Sequence, residues 1–255
     1  MLLLTDIGNT NITLGFYDRG IKKIFRLNTN PSDGHMRSAD EYAVLLKDYM
    51  IHNRIKKQQA AVICSVVPEV TPVFAGAVEK SFGIKPLFVS YKLKTGLKFK
   101  IKKPAGLGAD RIANAVAARR LYKGDLIVID FGTATTFCVV TAAGEYLGGA
   151  IMPGLNISAE ALYEKTAKLP RVKPDKPGKI IGDDTASNIL AGLILGHAGA
   201  VERLIKEIRK EIAKKVTIVA TGGLAGLVVP YVNGIKEVNP YLTLEGLRFI
   251  HELNA

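Results

Sequence analysis

The sequence predicts an α/β protein of two domains, each a mixed sheet flanked by helices. Three observations carry this. A strand–turn–strand design at Leu2 to Phe16 (LLLTDIGNTNITLGF) returns 124 positions later at Leu126 to Val140 (LIVIDFGTATTFCVV). Strand-like and helix-like segments alternate in both halves, the pattern of a mixed sheet with helices packed on it. The chain has 255 residues, enough for one large or two medium domains with substantial cores. The repeat divides it into residues 1–123 and 124–255.

Each copy of the repeat runs as apolar strand, Asp, one apolar residue, Gly, an Asn/Thr cluster and a second strand. Asp6 corresponds to Asp130, and Gly8 to Gly132. Read singly, each is a hairpin with turn residues where turns need them. Read as a pair, they suit a phosphate and its cation. Backbone N–H groups approach closely at the glycine, hydroxyls donate to phosphate oxygens, and the carboxylate faces a metal or its water.

Asp18 to Gly20 is a turn, and Ile21 to Leu27 a third meandering strand. Ser38 to Glu41 fits a capping box ahead of a helix through Tyr42, Leu45, Leu46, Tyr49 and Met50. Ala60 to Val67 is a buried strand ended by Pro68. Val70 to Phe82 is an amphipathic helix, and Lys85 to Val89 a strand. Gly106 to Tyr122 (GLGADRIANAVAARRLY) ends in a helix with Asp110 in its first turn, where a carboxylate gains from the macrodipole. Gly108, Ala109, Asp110 and Arg111 also place an acid beside a base in one tight loop. Asp110 is the only acid between Lys85 and Gly124, so surrounding cations are expected to favour its ionised, proton-accepting form.

In the second half, Glu145 to Met152 reads as one strand, Asn156 to Lys168 as a helix, and Leu169 to Lys179 as an exposed loop. Thr185 is placed as an N-cap for a long helix from about Ala186 to Lys214. The face of Ile189, Leu193, Gly196, Ala200, Leu204 and Ile208 is expected to pack on another helix, including one from a second subunit. Val216 to Ala220 is a core strand ending in Thr221, Gly222 and Gly223, and Thr243 to Leu253 a final helix.

Composition narrows the function classes. No segment approaches the 18 or so uncharged apolar residues of a membrane span, and Met1 leads straight into a strand, so a cytoplasmic protein is expected. Cys64 and Cys138 read as small buried hydrophobes. His35, His52, His197 and His251 lack metal or triad spacing and read as structural. Of the net charge of +12, Lys85 to Gly124 contributes +10. No nucleic-acid-binding signature accompanies it, and a basic wall for a small polyanion such as ATP is preferred over nucleic acid. Walker A and GxSxG patterns are absent from the sequence.

The duplicated Asp-x-Gly hairpins resemble those of the actin, Hsp70 and sugar-kinase superfamily. Within it the chain resembles the type III pantothenate kinases from end to end. The motifs are DIGNTN at Asp6 to Asn11, GADR at Gly108 to Arg111, DFGTATT at Asp130 to Thr136, GGAIMPGL at Gly148 to Leu155, ATGGLA at Ala220 to Ala225 and LTLEGL at Leu242 to Leu247. The resemblance implies two actin-like (ribonuclease H-like) domains with the nucleotide site in the cleft between them. It implies ATP-dependent phosphorylation of pantothenate, the first step towards coenzyme A, by a homodimer using Mg²⁺ and K⁺ or NH₄⁺.

By the same resemblance, Asp6, Ile7, Gly8, Asn9, Thr10, Asn11, Ile12 and Thr13 contact the ATP phosphates, with Asp6 near Mg²⁺. Gly108, Ala109, Asp110 and Arg111 contact pantothenate, and Asp110 accepts the proton of its hydroxyl. Asp130 matches the monovalent-cation ligand, Thr133 an ATP contact, and Thr185 a pantothenate contact across the dimer interface. Ile101 stands where many relatives carry Tyr, and Asp183 where they often carry Lys, which bears on substrate affinity or choice. The alternatives are a same-fold kinase for another small alcohol and a non-catalytic transcription accessory factor.

Overall fold

The computed structural model describes residues 1–29, 34, 36–212 and 215–255. The chain forms two compact units, Met1–Arg120 with Leu242–Ala255, and Leu121–Tyr241. The C-terminal segment therefore belongs with the first unit, whereas the sequence division ran the second domain through residue 255. His35 and Lys214, the expected end of the long helix, lie outside the described residues.

The first unit comprises β1 (Leu2–Ile7), β2 (Asn11–Tyr17), β3 (Ile21–Asn28), α1 (Ala39–His52), β4 (Ala60–Ser65), α2 (Val70–Phe82), β5 (Leu87–Phe88), β6 (Lys98–Phe99), α3 (Ala109–Leu121) and the C-terminal helix Leu242–Asn254. Its sheet runs β3-β2-β1-β4-β5. The first three strands form an antiparallel meander, and β4 and β5 add in parallel beside β1. Central β1 is buried along nearly its whole length, which is why it reads as an unbroken apolar run. On one face, Leu3, Ile7, Ile12 and Ile63 pack with Tyr42 and Leu46 of α1 and Phe74 and Val78 of α2. The capping box is present: Glu41 N–H donates to Ser38 Oγ, and Ser38 N–H donates to the Glu41 carboxylate at 2.7 Å.

The second unit comprises β7 (Asp125–Phe131), β8 (Ala134–Val140), β9 (Glu145–Gly148), β10 (Ile151–Pro153), α4 (Leu155–Glu164), α5 (Thr185–Ile212), β11 (Val216–Thr221), α6 (Ala225–Val228) and β12 (Glu237–Val238). Its strands run β12-β11-β7-β8-β9, with β10 paired to β8. With β10 set aside, the strands β9-β8-β7-β11-β12 repeat the ribonuclease H-like order three-two-one-four-five of the first sheet, antiparallel first and then parallel. The repeat read from the hairpins thus extends to five strands of each sheet.

The predicted strand Glu145 to Met152 is broken in two. Gly149 has φ +156°, and a Cβ there would collide with the Phe137 backbone, so the chain turns against β8 and re-pairs as β10. Helix α5 also differs from expectation. Its buried side runs through Ile189, Leu193, Ile194, His197, Ala198, Val201 and Ile205, and Gly196 faces outward. This side packs in one core with β7 and β11, and of the expected face Ile189 and Leu193 share in it. By length and composition α5 is also apolar enough to cross a membrane, contrary to the sequence expectation, and its buried side fills the core of this unit.

Candidate active site

The β1–β2 hairpin closes tightly. Ile7 and Ile12 pair across it, and Gly8 N–H donates to the Asn11 carbonyl at 3.0 Å. Asn9, Thr10 and Asn11 are exposed at its tip, Asp6 and Thr13 are half-buried beneath them, and the Ile7 and Ile12 side chains are fully buried. The two isoleucines can therefore meet a ligand only through backbone. Thr29 clamps the turn from β3's end: its N–H donates to the Thr10 carbonyl at 3.0 Å and its hydroxyl to the Gly8 carbonyl at 2.6 Å. Thr29 was not foreseen, because nothing in its sequence neighbourhood marks a contact with a turn about twenty residues away.

Asp110 opens α3, half-buried, with Oδ1 accepting the Arg111 N–H at 2.7 Å. A side chain at position 108 would run into that oxygen, so the glycine of GADR makes room for the carboxylate. A Cβ at position 108 would also stand 3.6 Å from Val66 Cγ1, and Val66 N–H donates to the Ile7 carbonyl at 3.1 Å. Through Val66, the Asp110 loop and the base of the first hairpin become neighbours within one unit, although about 100 residues separate them. The expectation about charge is corrected here. Burial raises the Asp110 pKa above its ordinary value, and the Arg111 N–H and guanidinium offset this only in part. Desolvation outweighs the cations because most of the surrounding lysines are exposed and screened by water.

In the second unit, Asp130 pairs with Thr136 just as Asp6 pairs with Thr13. Its turn is closed by Gly132 N–H to the Ala134 carbonyl at 3.2 Å. Gly222, at the end of β11, has φ +94°, and a Cβ there would stand 2.5 Å from Asp130 Oδ1. Gly154 lets the start of α4 approach the Gly132 and Thr133 carbonyls. Thr133 is half-buried at the turn.

Thr185 is exposed at the start of α5 and is not its cap. Asp184 takes that part, its Oδ1 accepting the Ser187 N–H at 2.7 Å, and this bond holds its carboxyl below the usual range. The Thr185 hydroxyl is thereby left for other use. Asp183 pairs with Lys179 at 2.7 Å on the surface.

Both cysteines are buried, as expected. Cys64 is more than a hydrophobe, however: its Sγ donates to Asp6 Oδ1 at 3.2 Å. Among the described residues no three His, Cys, Asp or Glu side chains gather into a metal cage. Mg²⁺ does not need one, since it takes one or two carboxylates with phosphate and water, and half-buried Asp6 beneath an exposed turn fits that donor set.

A family profile described as Type III pantothenate kinase matches residues 2–207. The chain belongs to the type III pantothenate kinase family. Two curated relatives that carry this family's name cover all of the chain. The protein of Moorella thermoacetica is 44% identical, with 100% of its own length matched, and that of Bacillus cytotoxicus is 43% identical, with 97% matched. Among solved structures, a Baf family protein from Campylobacter jejuni aligns with a TM-score of 0.58 at 19% identity, over 98% of this chain and 97% of its own. That likeness shows the fold alone. Four of the six motifs, from DIGNTN to GGAIMPGL, lie within the residues that the family profile matches.

Proposed function

We propose that this chain transfers the γ-phosphoryl group of ATP to the primary hydroxyl of pantothenate, giving 4'-phosphopantothenate, the first step of coenzyme A biosynthesis. Full-length identity of 43–44% to two relatives named for this activity carries the reading. A kinase of this family implies ATP with a divalent metal.

Phosphoryl transfer passes through a loose transition state, so the protein's work is positioning, charge neutralisation and a base aimed at the nucleophile. Asp110 is the base. Burial raises its pKa, which strengthens its ionised form as a proton acceptor. The Asp6–Thr13 hairpin cradles the phosphates through the turn backbone and the exposed Asn9, Thr10 and Asn11. Asp6 would hold Mg²⁺, which when bound would supply charge neutralisation for the transferred group. Asp130 would hold K⁺ or NH₄⁺, and Thr133 would touch ATP. Gly108, Ala109, Arg111 and the uncommitted Thr185 hydroxyl bind pantothenate, Thr185 from the second subunit of a cytoplasmic homodimer.

The basic stretch fits the same reading. Lys92, Lys94, Lys98, Lys102 and Lys103 are exposed, while Leu93, Thr95, Leu97 and Phe99 between them are buried or half-buried. Such a row attracts two anionic substrates. The test is purified protein with pantothenate, ATP, Mg²⁺ and K⁺ or NH₄⁺, with ADP and phosphopantothenate as products. Absence of turnover in folded protein overturns the proposal.

A further inference from the structure

We infer that Cys64 is a positioning residue for the Asp6 carboxylate, and through it for the metal-bearing end of the nucleotide; this rests on the reading of the first hairpin given above. Strands β1 and β4 run parallel with Asp6 and Cys64 in register, so the two side chains leave the sheet on the same face. Sγ and Oδ1 are 3.2 Å apart. A carboxylate only accepts, so the thiol hydrogen lies on the Asp6 oxygen.

Cys64 is completely buried, and its neighbour Ile63 is locked into the core on the opposite face. The thiol is therefore held within the buried sheet face beside the carboxylate. Asp6 is different: it is half-buried at the end of its strand, where the exposed turn begins. A fixed donor from the sheet interior, acting with the carboxylate's other contacts, holds the plane of a group that must face outward. That orientation matters because Mg²⁺ demands near-ideal octahedral geometry. Partners that hydrogen-bond a metal-ligating group typically account for about 10–100-fold in metal affinity or activity, and a thiol, as a weak donor, belongs at the lower end. A cysteine serving only as a small hydrophobe would be replaced by valine without effect on the nucleotide.

The experiment is calorimetric titration of MgATP, without pantothenate and so without turnover. It compares wild-type protein, Cys64→Val and Cys64→Ser, and repeats Cys64→Val in an Asp6→Asn background. Cys64→Val is expected to weaken MgATP binding about tenfold. Cys64→Ser, which keeps a donor at the same place, recovers most of the loss. In the Asp6→Asn background, Cys64→Val adds nothing. Wild-type affinity in Cys64→Val overturns the inference, and so does an equal loss in the Asp6→Asn background, which would make the cysteine a packing residue. Where valine lowers the thermal midpoint, Cys64→Ala repeats the comparison without added bulk. Failure of the wild-type protein to bind MgATP overturns the nucleotide reading of the hairpin itself, and the cysteine's role with it.

Discussion

Thr135 Oγ1 and His197 Nε2 lie 3.0 Å apart in a hydrogen bond between two buried side chains, joining β8 of the second hairpin to α5. Thr135→Val leaves the imidazole without this partner and is expected to lower stability by about 1–3 kcal/mol. Combined with His197→Phe it should cost less than the sum of the two changes, measured as a double-mutant cycle in urea. Burial lowers the His197 pKa from its ordinary 6.5. The folded state thus binds this proton less readily than the unfolded chain. Its contribution to stability is complete above 6.5 and is lost as pH falls through the folded-state value. His197→Phe should remove that part of the acid sensitivity.

Asp110→Asn is expected to lower kcat by at least about 100-fold, the lower bound for removing a general base, with ATP binding largely kept. Stability should move the other way. Because the folded-state pKa of Asp110 is raised, ionising it in the folded protein costs more than in the unfolded chain. Its favourable contribution is complete below the ordinary 3.8 and is lost as pH rises through the folded value. Thermal melts should therefore show Asp110→Asn gaining on wild type at neutral pH, with the gain shrinking towards acid pH. The acid limb of kcat/KM should lie above the ordinary carboxylate range.

Gly222→Ala would place a methyl 2.5 Å from Asp130 Oδ1 and 2.6 Å from the Phe131 backbone, at φ +94°. The left-handed backbone alone costs about 1–2 kcal/mol. Unfolding midpoints should fall accordingly, and, on the proposed cation role of Asp130, the concentration of K⁺ needed for half-maximal activity should rise as that carboxylate is displaced. Gly223→Ala, whose added Cβ meets nothing within 4 Å, should change stability little.

Asp184→Ala and Thr185→Val should separate capping from substrate binding. Loss of the Asp184 bond to Ser187 lowers the thermal midpoint. The Asp184 pKa is depressed, so the wild-type advantage is present above its ordinary 3.8 and fades as pH falls through the folded value. Thr185→Val should leave the midpoint in place and raise KM for pantothenate in steady-state assays. A lowered midpoint in Thr185→Val and none in Asp184→Ala would return the cap to Thr185.

Much of this protein was legible from short stretches of sequence. The bounds of α2 are those its periodicity predicts, the Ser38–Glu41 capping box is present, and both hairpins lie where the Asp-x-Gly repeat puts them. These features act over three or four residues, so the residues that cause them are adjacent in the chain. Helix α5 shows the limit. Its periodicity pointed to Ile189, Leu193, Gly196, Ala200, Leu204 and Ile208, and packing with β7 and β11 added Ile194, Ala198, Val201 and Ile205 to the buried side.

By itself, then, the sequence determined most of the longer strands and helices, the duplicated design and the six family motifs, because each rests on local backbone chemistry or on residue identity. The tertiary structure alone decided the environments. It placed the Cys64 thiol on Asp6 across 58 positions, bonded His197 to Thr135 across 62, and joined the C-terminal helix to the first unit. It also made burial, and not the surrounding lysines, the dominant influence on Asp110. Desolvation and long-range hydrogen bonds depend on what surrounds a side chain in space, and distance along the chain carries no record of that.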